Sequence, residues 1–282
     1  MTDTHERPPL VSIVIATYAG DSLDHLGEAV ESALLQTHRN IEVLVAADGP
    51  LSIEAQAYLS ERAQQDPRIV LLSLPENRGP GAARNLAIAR ARGAYIAILD
   101  ADDRAKPYRV ERQLAFIQES GADLVGSAYT IIDDFGGAVG EKRFPLEPDA
   151  IRAAMYLYNP IANSTAFARA TVLKKHAYPE AFRYGEDYAL WIALARAGCV
   201  LRNQPDPLVE FRCDTSILAR RRGLHCAITE LTNKLHALPL YPAYKWPLVA
   251  AAAVAISLVR LLPAPLLNPF YRIRKELHRE RT

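Results

Sequence analysis

Apolar and polar positions follow two alternating periods along the first 132 residues. The continuous apolar run LVSIVIAT (10–17) is followed by SLDHLGEAVESALLQ (22–36), where Leu23, Leu26, Val30, Ala33 and Leu34 recur at helical spacing. IEVLVAA (41–47), RIVLLSL (68–74), AYIAILD (94–100) and ADLVGSAYTII (122–132) read as further strands. Helices are predicted at 53–65, 80–92 and 107–120, the last opened by Pro107. Strands apolar on both faces, alternating with helices, predict an α/β fold with a mostly parallel, Rossmann-like sheet flanked by helices. Right-handed crossovers then bring the strand C-termini to one edge, where open α/β sheets bind ligands. Thr17–Tyr18, Asp48–Gly49 and Asp100–Asp103 all follow strand ends, so they are expected at one crevice.

The pattern loosens beyond residue 135. DDFGGAVGEKRF (133–144) reads as a hairpin turning at Gly136–Gly137, and helices are predicted at 149–157, 170–176 and 187–197, the last stopped by Gly198. From Leu248 to Val259 the chain is apolar for twelve residues, whereas a bilayer-spanning helix needs about 20. Tyr244 and Trp246 flank it on one side and the basic tail RIRKELHRERT (272–282) on the other. That arrangement predicts a membrane-associating helical extension lying at an interface. A helix packed on the protein body or a dimer contact is the alternative, and the sequence leaves open whether 247–267 inserts or packs.

Composition changes this picture little. With half of the 282 residues hydrophobic and 23% charged, a packed core is expected. The formal charge of +1 gives no electrostatic case for a nucleic-acid partner, although Arg220, Arg221 and Arg222 are consecutive. Cys199, Cys213 and Cys226 match no zinc spacing and read as reduced thiols of a cytoplasmic protein. The seven histidines lack helical metal-site spacing, and MTDTHERPPL has no apolar core of a secretory signal.

The chemistry lies in the carboxylates. Asp100, Asp102 and Asp103 end an apolar strand, where their mutual repulsion is costly unless water, hydrogen bonds or a cation relieves it. Aspartates at this spacing can offer oxygen ligands to Mg²⁺ or Mn²⁺, which completes its shell with water and substrate phosphates. ENRGPGAARN (76–85) is a glycine-containing turn into a helix, whose free amides suit an anionic phosphate, with Arg84 adding charge. FRYGEDYALWIALARAG (182–198) sets Glu186–Asp187 before an amphipathic helix. Each feature alone also reads as ordinary structure: an Asx-turn, a helix cap, or acids complementing a helix dipole.

Taken in order, VSIVIATY, ADG, NRGPGAARN, GAYIAILDADD and GEDYALWIALARAG resemble glycosyltransferase family 2, inverting enzymes of GT-A fold, over about residues 10–215. The resemblance implies sugar transfer from a nucleotide-diphosphate donor to an acceptor hydroxyl with a divalent metal, Mg²⁺ or Mn²⁺. It implies a donor pocket lined by Thr17, Tyr18, Asp48, Arg84, Asn85, Asp100 and Asp103. Asp102 matches the direct metal ligand with Asp100 beside it, Asp187 matches the general base, and Glu186 falls on the acceptor side. The chain departs from the family at Ala46–Ala47–Asp48–Gly49, where a double aspartate is usual and Ala47 cannot accept a hydrogen bond from a uracil. EFRCDTSI carries Asp214 near a position that is often histidine, and no QxxRW segment of a processive synthase follows the acidic pair.

The expectation is therefore a non-processive, metal-assisted glycosyltransferase domain over 1–215 and a helical extension over 216–282. Its partners would be a nucleotide-sugar donor, a lipid-linked or saccharide acceptor, and the cytoplasmic face of a membrane. A sugar-phosphate nucleotidyltransferase is the alternative enzyme, although ATYAGDS (16–22) offers no basic residue to a triphosphate. A non-catalytic nucleotide-sugar-binding protein is the other alternative.

Overall fold

The computed structural model describes residues 8–213 and 223–261. Asp214, the Arg220–Arg222 cluster, residues 262–267 of the apolar segment and the basic tail at 272–282 lie outside the described residues.

The elements run β1 (Val11–Thr17), α1 (Leu23–Leu34), β2 (Ile41–Ala47), α2 (Ile53–Gln65), β3 (Ile69–Ser73), α3 (Pro80–Arg90) and β4 (Tyr95–Asp100). Then follow β5 (Arg104–Ala105), α4 (Arg109–Ser120), β6 (Leu124–Ile132), β7 (Ala138–Lys142), α5 (Pro148–Ala154), β8 (Phe167–Arg169), α6 (Ala170–Lys175), α7 (Glu186–Arg196) and β9 (Leu201–Arg212). Two further helices, α8 (Leu224–His236) and α9 (Trp246–Val259), form the C-terminal pair.

One sheet has the order β3-β2-β1-β4-β8-β6-β9-β5, with β7 paired to β6. Strands β3, β2, β1 and β4 are mutually parallel. The short β8 runs antiparallel to both β4 and β6, and β9 is parallel to β6. The two apolar faces of the strands have separate uses. Ile13, Ile15, Val43 and Val45 pack with Leu26 and Val30 of α1 and Val110 of α4 on one side. Val14, Leu44, Ile96 and Ile98 pack with Ala83 and Ile88 of α3 and Trp191 of α7 on the other. That double burial is why these runs lack the polar alternation of a solvent-facing sheet.

Three expectations shift. The helix after Pro107 begins at Arg109, and the Pro107 carbonyl accepts the Thr37 amide at 2.7 Å. Strands β5, β8 and β9 went unread: two are only two and three residues long, and β9 contains Pro205 and Pro207, residues that argue against a strand. The helix at 149–157 closes by Ala154.

The segment containing Leu248–Val259 is α9. It packs on α8, burying the single stripe Val249, Ala253 and Ser257, and no helix among the described residues is long and apolar enough to cross a membrane.

Candidate active site

The carboxyl ends of β1, β2 and β4 are neighbours. Thr17 is in register with Ala47, Ala16 with Asp100, and the Asp48 amide donates to the Thr17 carbonyl at 2.7 Å. The three strand-end segments thus meet at one sheet edge, as parallel strands with right-handed crossovers require.

Asp100 closes β4 half-buried, and its Oδ1 accepts from Arg84 Nη2 and Asn163 Nδ2, each at 2.7 Å. Its amide donates to Ser164 Oγ at 3.1 Å. Asp102 is exposed at the rim, while Asp103 is fully buried and accepts the Arg212 amide at 2.8 Å. Asp103 Oδ2 has no hydrogen-bond partner among the described residues. Burial, and then the charges of Asp102 and Asp100, push the Asp103 carboxyl well above the usual carboxylate range.

Two arginines hold this loop. Arg109, buried beneath it, donates Nη2 to the Ile98 carbonyl at 2.7 Å and Nε to Gln113 at 2.9 Å. Burial brings Arg109 down to about 10 against the opposing pull of Asp103 and Asp100, so it is a cation at neutral pH. Arg212, at the end of β9, donates Nε to the Asp102 carbonyl at 3.0 Å and Nη1 to the Asp133 and Asp134 carbonyls at 3.0 and 2.9 Å. Its Nη2 pairs with Glu28.

Across the crevice stands the turn into α7. Gly185 adopts φ +70°, a left-handed conformation that lets the chain reverse into the helix. Successive helical residues diverge by about 100°, so the acidic pair splits. Glu186 turns inward and is buried, accepting from Arg84 Nη1 at 2.6 Å. The neighbouring Asp187 turns the other way, half-buried, and its Oδ2 accepts from Asn159 Nδ2 at 2.7 Å. Burial first, and the charge of Glu186 second, raise the Asp187 carboxyl to about 7. One guanidinium therefore joins the strand-end aspartates to the acidic turn. Arg84 also lies 5.4 Å over the Tyr178 ring, whose hydroxyl donates to Asn163 at 2.9 Å.

Several residues sit differently from their sequence reading. Glu186, expected on the acceptor side, is buried and paired with Arg84. The Asp48 carboxylate accepts the amides of Arg78 and Gly79 at 2.7 and 2.9 Å, so those amides are not open to a phosphate. The protein supplies its own anion there. Asn85 exchanges hydrogen bonds with both backbone groups of Tyr178, at 2.9 Å each, and pins that loop. Thr17 is buried, with its hydroxyl on Asp21 at 3.0 Å, while the Tyr18 side chain is exposed at the rim.

Sequence reasoning missed Asn159, Asn163, Arg109 and Arg212. The two asparagines lie in NPIANSTAF (159–167), a stretch without periodicity, and only their convergence on Asp100 and Asp187 reveals them. Arg212 lies in EFRCDTSI, whose resemblance to a family segment was its only signal.

Among the described residues, no three histidine, cysteine or acidic side chains gather into a complete metal site. The carboxylates of Asp102 and Asp100 nevertheless fit a hard divalent cation that takes one or two protein oxygens and fills its shell from a diphosphate and water.

Comparison with known proteins adds to this geometry. Residues 12–178 match the model of glycosyl transferase family 2. An uncharacterized glycosyltransferase of Haemophilus influenzae is 31% identical over 218 residues, 73% of this chain and 66% of that protein. The UDP-Glc:alpha-D-GlcNAc-diphosphoundecaprenol beta-1,3-glucosyltransferase WfaP of Escherichia coli is 34% identical over 194 residues, 69% of this chain and 73% of that one. The matches span between 27% and 66% of the length of the first curated relatives. A mannosyltransferase from Pyrobaculum calidifontis, solved with GDP-Man and Mn²⁺, superposes with a TM-score of 0.63 at 17% identity, over 95% of this chain and 81% of that one. The fold is therefore the GT-A-like α/β architecture.

Proposed function

The chain belongs to glycosyltransferase family 2, and from that premise we propose that it is an inverting, non-processive glycosyltransferase. It moves a sugar from a nucleotide-diphosphate donor to a hydroxyl of a lipid-linked or polysaccharide acceptor. The observation that carries this reading is Arg84, which grips Asp100 at 2.7 Å and Glu186 at 2.6 Å and so couples the donor end of β4 to the turn bearing Asp187.

In this mechanism the acceptor oxygen attacks the anomeric carbon from the face opposite the diphosphate. Its proton passes to the Asp187 carboxylate as the new bond forms. The anomeric carbon–oxygen bond breaks, and the diphosphate leaves with the electron pair. A carboxyl raised to about 7 suits the base, because proton transfer is most effective when the catalytic pKa lies near the working pH. Asn159 aims that carboxylate from outside the helix. Asp102 and Asp100 would hold Mg²⁺ or Mn²⁺, which when bound supplies Lewis-acid stabilisation of the leaving diphosphate. Tyr18 at the rim offers a face to the donor base, and Thr17 shapes the floor beneath it.

The Escherichia coli relative is named for a UDP-Glc donor and a diphosphoundecaprenol acceptor, which supports a uridine donor and a lipid-linked acceptor here. The Pyrobaculum neighbour's GDP-Man and Mn²⁺ support a divalent ion. We assign transfer to residues 1–215 and membrane association to the helical extension 216–282. Helix α9 carries no charge and leaves Trp246, Leu248, Val254, Leu258 and Val259 exposed. Residues 260–282 hold six Arg or Lys against two Glu. An apolar helix beside a cationic segment supports peripheral placement on the cytoplasmic membrane face.

The test is transfer from UDP-glucose to a prenyl-diphosphate-linked sugar, with and without EDTA, by the wild type, Asp102→Asn and Asp187→Asn. Metal-dependent transfer that both substitutions abolish supports the reading. Undiminished transfer by Asp187→Asn removes the base, and pyrophosphate release from a nucleoside triphosphate would replace glycosyl transfer with nucleotidyl transfer.

A further inference from the structure

The family match ends at residue 178, yet the base-bearing turn is fastened to a helix well beyond it. Asn233 of α8 donates Nδ2 to the Gly185 carbonyl at 2.9 Å, and a side chain at Gly185 would come within 3.2 Å of that same nitrogen. Gly185 immediately precedes Glu186 and Asp187. The next residue of α8, Lys234, is fully buried, and its Nζ donates to the Tyr156 carbonyl at 2.9 Å. Tyr156 lies three residues before Asn159, whose amide holds Asp187 Oδ2. The same ammonium pairs with Glu230 at 3.1 Å and lies 5.7 Å over the ring of Tyr188, whose hydroxyl donates to the Met155 carbonyl.

Two adjacent residues of one helix thus grip both supports of a single carboxylate. We propose that Asn233 and Lys234 are positioning residues for Asp187, so that α8 fixes the backbone on its helix side and the asparagine on its other side. This rests on Asp187 being the base. Burying a lysine is costly unless its partners are good, and here one ammonium meets a carboxylate, a carbonyl and an aromatic face. The charged groups that face Asp187 are Glu186 on its own helix, Arg84 on α3 and Asp100 at the end of β4. None belongs to α8, so α8 acts on Asp187 through geometry.

Asn233→Asp keeps the size of the side chain but replaces the amide donor with oxygen, and Lys234→Met keeps the length but loses the donor. Each is expected to lower kcat about tenfold, an effect of the size expected for a displaced catalytic group, with the donor KM within about twofold. The acid limb of the kcat profile should move to higher pH, because a loosened Asn159 contact stabilises the ionised carboxylate less. Lys234→Arg should recover part of kcat. A folded variant with wild-type kcat and profile overturns the proposal, and so does a kcat loss with an unmoved acid limb. Should Asn233→Asp or Lys234→Met fail to fold, Asn233→Ala carries the test, since it removes the donor to the Gly185 carbonyl without adding a charge: a wild-type kcat and profile overturn the proposal. Asp187→Asn separates the two readings. If it abolishes transfer while the α8 variants behave as wild type, only the present inference falls; if it transfers normally, the base reading falls and takes this one with it.

Discussion

Arg84 Nη2 lies 2.7 Å from Asp100 Oδ1, sixteen residues further along the chain, and the other arm of the same guanidinium reaches Glu186. Arg84→Met leaves two acids facing each other with little water to relieve them. Breaking a buried pair from one side costs about 3–5 kcal/mol, and for a chain of this size each kcal/mol lowers Tm by roughly 2–4 °C. We expect a Tm drop of about 6–20 °C by calorimetry, together with a loss of transfer. Arg84→Lys keeps the charge but serves only one acid, and should fall between the two.

The pH profile follows from Asp187. The carboxyl accepts a proton from the acceptor only when ionised, and its folded value is about 7. The kcat profile should rise with pH to a plateau, with its midpoint near 7, and fall about tenfold per pH unit below it. Initial rates between pH 5 and 9 check this: a flat profile across that range would overturn the raised value of Asp187, and an acid limb that persists in Asp187→Asn would remove it as the titrating group.

The same group has a stability consequence of known sign. Its folded pKa lies above the ordinary value of 3.8, at about 7, so between those values the native state binds more protons than the unfolded chain. Stability from this site is therefore present at low pH and lost as pH rises through about 7. Asp187→Asn removes that loss. Urea unfolding at pH 8 should show the variant as more stable than the wild type, even though it transfers poorly.

Asp102 is expected to govern metal dependence. Asp102→Asn should reduce transfer by about 10²-fold or more, the scale of a lost Lewis-acid contribution. Raising Mn²⁺ should recover part of that loss, whereas chelation should abolish wild-type activity. Isothermal titration of UDP with and without Mn²⁺ is the direct check: equal affinity in both conditions would detach the metal from the donor.

Leu248 and Leu258 project from the unpacked sides of α9. Glutamate at both positions should lower the vesicle partition constant, read by co-sedimentation with anionic phospholipid vesicles, by about 10²-fold or more, since each buried leucine contributes about 1.5–3 kcal/mol and the new charges are repelled. The melting temperature should hold within about two degrees, because exposed substitutions change stability little.

The parallel half of the molecule was legible because its signals are local. Runs such as Ile41–Ala47 are apolar but for Glu42 and as long as the strands they form. Helix α1 declares itself by the helical period of Leu26, Val30, Ala33 and Leu34. The second half was not legible in this way. β8 is three residues held between two other strands, and it owes its conformation to partners at Tyr95–Ala97 and Leu124–Val125 rather than to its own composition. The candidate site divides similarly. Asp100, Asp102 and Asp187 stand in motifs of fixed order, so position in the chain reveals them. The different partners of Glu186 and Asp187 were not legible, because two adjacent acids look alike in sequence and differ only in the direction the helix turns them. Asn159 and Asn163 have no pattern at all, and neutral amides become informative only when the fold aims them.

The antiparallel insertion of β8 between β4 and β6 also sets an order of events during synthesis on the ribosome. Strands β1 to β4 can pair as soon as residue 100 has emerged, since each neighbour is already available. The outer edge of β4 then stays unprotected until residues 167–169 appear, and β6 waits equally for β9 at 201–212. A truncated or stalled chain would present two hungry strand edges to its neighbours. Nascent copies should therefore lean on chaperones across that interval, and fragments ending before residue 170 should precipitate while the full chain does not.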